Sequence, residues 1–232
     1  MPERYGLYYA PAVTSELWRH AAIWLGRDAA TDSTLEADVG GIDPERRHAI
    51  TKSARRYGFH ATLKAPMALD GKLDAKDLDR ALKAWTSAHA PLDIGPIVLR
   101  PIAGFLALVP DRQSGALTDF AARIVEDFDG FRAPIEADDK ARRNVGGHLT
   151  ARQLELLEEF GYPYVMEEFR FHMTLTDQLE PREQLSVSAA ITAWFGPLIG
   201  QNVLLDRLVL FHEAGPGAPF MRLRDYPLTG DA

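Results

Sequence analysis

The chain has no cysteine, so it can build neither a disulfide nor a thiolate metal site. It has no low-complexity segment and no apolar run near the roughly 20 residues that span a bilayer. Positive charge is not in excess: 26 Lys and Arg stand against 33 Asp and Glu, a formal net charge of −7. That balance argues against a broad electrostatic footprint, and so against long DNA or RNA as a partner, although a small basic cleft remains compatible with it. The stretch Met1-Pro2-Glu3-Arg4-Tyr5 lacks the charged and apolar regions of a signal peptide. The expectation is a cytoplasmic protein without a membrane segment.

What the chain does have is an ordinary globular composition, 46% hydrophobic and 25% charged over 232 residues. That length supports a substantial core. Within it, one short pattern occurs twice: Phe59-His60-Ala61-Thr62-Leu63-Lys64 and Phe171-His172-Met173-Thr174-Leu175-Thr176. Strict apolar–polar alternation is the mark of a half-buried strand. Successive side chains of a strand point to opposite faces. Phe59, Ala61 and Leu63 therefore face a core while His60, Thr62 and Lys64 share the other face. In the second copy Phe171, Met173 and Leu175 are apolar, with His172, Thr174 and Thr176 opposite. Each strand presents an imidazole and a hydroxyl roughly 7 Å apart at the backbone.

The surrounding pattern reads as alternating elements. A strand is expected over residues 4–11, a helix over 14–25, an acidic loop over 27–42, and a helix opening at Asp43-Pro44 and ending before Gly58. The first motif strand is followed by a helix over 74–89, strands over 97–102 and 105–109, and a helix over 117–128. A long connection, 131–149, carries Asp138-Asp139-Lys140-Ala141-Arg142-Arg143, and connections of that length are often functional. Thr150-x-x-Gln153 is a capping box for a short helix. The second motif strand is expected over 166–176, then a helix over 181–195 and strands over 204–212 and 220–223. Helix, strand, strand thus follows each histidine. The expected fold is α+β: residues 1–232 as one bilobal domain of two pseudo-symmetric β-α-β-β lobes, antiparallel sheet with helices outside, and the histidine faces converging on a central cleft.

A lone His-x-Thr is usually a solvated strand face. Recurrence at corresponding places of an internal repeat is different, because packing accounts for the Phe and Leu but not for the polar face. Histidine titrates near neutrality and serves as base or acid. Two imidazoles on opposite sides of a phosphorus atom suit in-line opening of a cyclic phosphodiester, with Thr62 and Thr174 donating to the non-bridging oxygens. No metal or cofactor is required, and two histidines without a third ligand at suitable spacing make a zinc site a weak alternative. Alternation adds Lys64 and Arg170 as phosphate-holding candidates. Arg142 and Arg143 fit a mobile anion clamp, and Tyr57, Tyr162 and Tyr164 fit pocket walls. His20, His48, His89, His148 and His212 lack a repeated context, His148 and His212 being the strongest exceptions.

The two His-x-Thr-hydrophobic strands resemble those of the 2H phosphoesterase superfamily. The flanking strings Arg55-Arg56-Tyr57-Gly58-Phe59-His60, Phe105-Leu106-Ala107-Leu108, Ala141-Arg142-Arg143, Gly161-Tyr162-Pro163-Tyr164-Val165 and Phe169-Arg170-Phe171-His172 are similar to a bacterial branch found in phosphonate-utilisation (C–P lyase) operons. The resemblance covers nearly the whole chain. It implies a bilobal, metal-independent enzyme with His60, Thr62, His172 and Thr174 as catalytic residues. As substrate it implies a small phosphorylated sugar or nucleotide, such as 5-phosphoribosyl 1,2-cyclic phosphate, whose extra phosphate would give Arg142 and Arg143 a role. RNA 2′,3′-cyclic phosphodiesterase or ligase activity, and a non-catalytic phosphate-ligand-binding role, are the competing expectations.

Overall fold

The structure, a computed structural model, describes residues 3–231, with the side chains of Asp138 and Arg142 outside the described set. In chain order the elements are β1 (Arg4–Tyr9), α1 (Glu16–Leu25), β2 (Arg27–Asp28), β3 (Ser33–Thr34), α2 (Pro44–Ile50), α3 (Lys52–Tyr57), β4 (Ala61–Met67), α4 (Ala75–Ser87), β5 (Leu92–Ile102) and β6 (Phe105–Pro110). There follow α5 (Gly115–Asp127), α6 (Ala137–Arg143), α7 (Ala151–Phe160), β7 (Met173–Thr174), α8 (Pro181–Phe195), β8 (Asn202–Leu205), β9 (Arg207–Glu213) and β10 (Phe220–Pro227). Apart from the small β2–β3 ribbon, the strands form one antiparallel sheet in the order β10-β9-β1-β4-β7-β6-β5-β8.

The sheet divides evenly at its centre, where the two motif strands β4 and β7 pair. The fold is α+β, as the repeat implied, with one refinement. The chain leaves β4 through α4 and returns as the β5–β6 hairpin, which pairs with β7 in the other half. It leaves β7 through α8, adds β8 to the β5 edge, and returns as β9–β10 beside β1. Each half is completed by strands delivered from the other, which ties the two halves into one continuous sheet and one main core.

Local chemistry explains where the elements begin and end. Ser15, Asp43, Asp74, Ser114 and Thr150 each cap a helix by accepting a backbone N–H with the side chain. The helix expected from Asp43 to about Arg55 is broken at Thr51. The Asp177 carboxylate takes the N–H groups of Ser53 and Ala54, and the Asp177 N–H donates to the Ile50 carbonyl, so α3 restarts in a new direction. The long connection is not structureless, since α6 forms within it.

The second motif strand is much shorter than residues 166–176. Met166–Glu168 form a 3₁₀ turn, with Met166 at φ 53°. Upstream of the motif, Gln113 substitutes for a neighbouring strand: its amide N–H donates to the Phe169 carbonyl, and its oxygen accepts the Phe171 N–H at 2.8 Å. The expected core faces are as the alternation set them. Phe59, Ala61, Leu63, Phe171, Met173 and Leu175 are all buried. Trp24 of α1 seals the second set by donating its indole N–H to the Leu175 carbonyl. No helix of the described residues is long and apolar enough to cross a membrane.

Candidate active site

Ala61 of β4 lies directly opposite Met173 of β7. In an antiparallel pair this register sets His60 across from Thr174 and Thr62 across from His172. Directly opposed Cβ atoms sit roughly 5 Å apart, and diagonal neighbours, here the two histidines, roughly 7–8 Å apart. The four side chains line one cavity of about 730 Å³. The repeat has become a local two-fold axis.

Both histidines are held the same way. His60 Nδ1 lies 2.8 Å from the Gly58 carbonyl and His172 Nδ1 lies 2.7 Å from the Arg170 carbonyl, two residues upstream in each case. A carbonyl only accepts, so Nδ1 must carry the hydrogen in both rings. The reactive lone pair, or the second proton, is thereby assigned to Nε2. Nε2 of His60 is 3.2 Å from the Thr62 hydroxyl.

The rings differ in their surroundings. His60 stacks on Tyr8 with centroids 3.8 Å apart, and burial pushes its pKa down to about 4. The charge on His172 pushes in the same direction, against the hydrogen bond to Gly58. His172 rests against Phe105 at 5.6 Å, and burial also lowers its pKa. Burial thus disfavours the charged form of both rings, and a charge on His172 adds to the effect at His60.

The remaining expected residues divide. Tyr57 lines the cleft, its ring 6.2 Å from that of His60. Arg143 lines it too, with its guanidinium 5.1 Å over the ring of Tyr162. Tyr162 forms the wall there; Tyr164 is 40% exposed and packs on the edge of Tyr162 from outside. Arg170 is exposed and off the cavity lining, and it serves the site through its carbonyl. The Arg142 side chain lies outside the described residues. His148 and His212 do not line the cleft: His148 bonds the Val145 carbonyl, and His212 pairs with Glu3.

Lys64 corrects the sequence expectation. Between Leu7 and Tyr8 one step of β1 spans two residues of β4, so the pairing slips and the alternation fails after Thr62. Lys64 turns inward, 3% exposed, donating to the Val125 carbonyl and to Asp129 at 3.0 Å. It anchors α5 to the sheet. Lys64→Ala should therefore destabilise the fold by about 2–4 kcal/mol, Asp129 retaining Arg132 as a partner. Denaturant unfolding checks this; an unchanged midpoint would contradict the anchoring role.

Sequence reasoning also missed Arg4, Tyr8 and Arg56, all of which line the cavity. Arg4, Gly6 and Tyr8 share one face of β1 by alternation, and β1 lies beside β4. The signal was the glycine: a Cβ at Gly6 would come within 2.5 Å of the Tyr8 ring, so this face of the strand is kept bare for a ring to lie along it. Among the described residues no group of three or more His, Asp or Glu could hold a metal ion.

Fold and site together define an α+β protein whose two His-x-Thr strands pair at the centre of one sheet and open into one cleft. Residues 62–221 match the model of a protein family of unknown function, DUF1045, and the chain belongs to that family. It is similar to a protein of Janthinobacterium sp. (strain Marseille) named ribose 1,5-bisphosphate phosphokinase PhnN, with 35% identity over 98% of this chain and 51% of the relative. A protein of the same name from Laribacter hongkongensis is 34% identical over 95% of this chain and 51% of its own length. The chain thus spans about half the length of the curated relatives it matches. Among solved structures, TT0787 of Thermus thermophilus aligns with a TM-score of 0.48 at 12% identity, covering 99% of this chain and 100% of its own. A structure described as a phosphoesterase aligns at 0.43 and 13%, over 98% of this chain and 99% of that one.

Proposed function

We propose that the cleft hydrolyses a small cyclic phosphodiester without a metal, as a phosphoesterase of the 2H type. The observation that carries this reading is the pair of carbonyl-oriented imidazoles brought together by adjacent strands, lining one cavity with Thr62 and Thr174, the Thr62 hydroxyl 3.2 Å from His60 Nε2. His60, the ring of lower pKa, is the base: its Nε2 takes a proton from water as the water oxygen bonds to phosphorus. His172 is the acid: its Nε2–H protonates the alkoxide as the opposite P–O bond breaks. Thr62 and Thr174 donate to the non-bridging oxygens as charge builds there. The product is a phosphate monoester with a free hydroxyl.

The substrate we propose is a ribose cyclic phosphate. Both curated relatives are named for ribose 1,5-bisphosphate. Water attack on 5-phosphoribosyl 1,2-cyclic phosphate, with cleavage of the bond between phosphorus and O2, yields that compound. The formal net charge of −7 supports a small substrate over long RNA. Comparing kcat/KM for this sugar phosphate, adenosine 2′,3′-cyclic phosphate and an RNA with a cyclic end tests the assignment. Preference for the RNA would replace it with RNA end processing.

The protonation states give a pH dependence. Activity requires His60 neutral, so kcat/KM falls as pH drops through about 4. It requires His172 protonated, so kcat/KM also falls as pH rises through a pKa below the usual 6.5. The expected profile is a bell with its maximum on the acid side of 6.5 and roughly a tenfold loss per unit above it. A profile rising through neutrality would contradict the assignment of acid and base.

A further inference from the structure

Beyond the two histidines, the cleft has a second charged end that the proposed chemistry leaves unused. Glu213, on β9, is fully buried, and its carboxylate is shared by Arg4 at 2.5 Å and by Arg56. One buried carboxylate against two guanidiniums leaves one positive charge over. The guanidiniums line the cavity and remain partly open, with side-chain exposures of 23% for Arg4 and 29% for Arg56. Arg4 engages Glu213 through Nε alone, while Arg56 directs Nε to the Gly217 and Ala218 carbonyls and Nη2 to Glu213. Both terminal nitrogens of Arg4 and Nη1 of Arg56 therefore have no hydrogen-bond partner among the described residues.

The surroundings fix the heads rather than neutralise them. Arg56 lies 4.9 Å over Tyr57 and 5.6 Å from the Phe220 centroid, and Arg4 lies 5.8 Å from the same Phe220 ring. Tyr8, on the same face of β1 as Arg4, is fully buried, and its hydroxyl has no hydrogen-bond partner among the described residues. Two fixed forks and a hydroxyl donor are the groups that recognise a phosphate monoester dianion. Tyr8 stacks on His60 and Tyr57 lies beside it. The charged end is thus about one aromatic ring from the reacting centre, a separation that one sugar bridges.

We infer that Arg4 and Arg56, aligned by Glu213, form a second anion site that holds a phosphate monoester carried on the same substrate as the cyclic diester. The inference rests on the phosphodiesterase reading for its meaning but not for its test. It makes the enzyme selective for a doubly phosphorylated sugar or nucleotide, and it puts that selectivity on Arg4 and Arg56 rather than on Lys64 or Arg170.

The test compares adenosine 2′,3′-cyclic phosphate with its 5′-phosphorylated form. Wild type should favour the latter, and Arg56→Ala should lower the ratio of the two kcat/KM values by roughly 10- to 100-fold, the ratio cancelling any general loss. Arg4→Ala should lower it as well, which covers the case of one variant folding poorly. An unchanged ratio in both variants overturns the inference. If neither adenosine compound nor 5-phosphoribosyl 1,2-cyclic phosphate turns over, the phosphodiesterase reading fails while the anion site is still tested, by calorimetry with ribose 5-phosphate. Binding that survives His60→Ala and weakens at least about tenfold in Arg56→Ala supports the site; equal binding in both overturns it.

Discussion

Replacing either histidine should remove turnover almost entirely. Each of His60→Ala and His172→Ala is expected to lower kcat by about 10²- to 10⁴-fold, since each deletes a proton-transfer group. The double variant should lose little more than the worse single, because the groups act as a unit. Folding should survive, as both rings sit on the polar face of the central strands while Phe59, Ala61, Phe171 and Met173 carry the packing. The variants should differ in one respect. A diester with an activated nitrophenol leaving group needs no proton from the enzyme, so His172→Ala should recover activity on it and His60→Ala should not. Rescue of His60→Ala alone would reverse the acid and base roles. Loss below about tenfold in both would remove the histidines from the chemistry.

The second large effect is expected at Gly58, which lies outside the repeated pattern. Its backbone stands at φ 78° and ψ 170°, a region essentially reserved for glycine. A Cβ there would come within 2.5 Å of the Ala29 Cβ, which has no flexible end to move aside. Its carbonyl is the group that holds His60 Nδ1. Gly58→Ala combines strain of about 1–3 kcal/mol with a steric overlap, so a loss of at least about 3 kcal/mol of stability is expected. In protein that still folds, displacement of the carbonyl should release His60 from its tautomer and orientation and cut kcat at least about tenfold. Thermal unfolding and kinetics at low temperature separate the two effects. A variant with wild-type stability and kcat would contradict the account of how His60 is held.

These two positions mark what the sequence made legible. The histidine and threonine faces could be read because a strand's period of two is strict, and because the pattern recurred with its Phe and Leu intact. Caps at Asp43, Asp74 and Thr150 were readable because capping is a local bond between a side chain and the N–H two or three residues on. Lys64 was misread because the alternation it relied on is broken by a slip against β1, and that slip depends on a partner strand distant in sequence. The second motif strand was read as too long because Gln113, also distant in sequence, takes the backbone groups a strand would have used. Arg4 and Tyr8 reach the site only because β1 comes to lie beside β4 in the sheet. No local pattern encodes that pairing. The bare Gly6 between Arg4 and Tyr8 was its one visible trace.

The single helix expected from Asp43 to about Arg55 failed for the same kind of reason. Its sequence is helical throughout, but the Asp177 carboxylate, just beyond Thr174, competes for the N–H groups of Ser53 and Ala54. That break turns α3 so that Arg56, Tyr57 and Gly58 meet the cleft. A distant carboxylate thus shapes the site.

The most direct test of the central claim is a single hydrolysis followed by phosphorus-31 NMR in ¹⁸O-enriched water containing EDTA. The substrate is 5-phosphoribosyl 1,2-cyclic phosphate. Attack of water at phosphorus should give ribose 1,5-bisphosphate with one ¹⁸O in the C1 phosphate and none in the C5 phosphate, at an undiminished rate in EDTA. Recovery of unchanged cyclic diester would contradict the substrate assignment, and turnover that stops when metal is withdrawn would contradict the two-histidine mechanism.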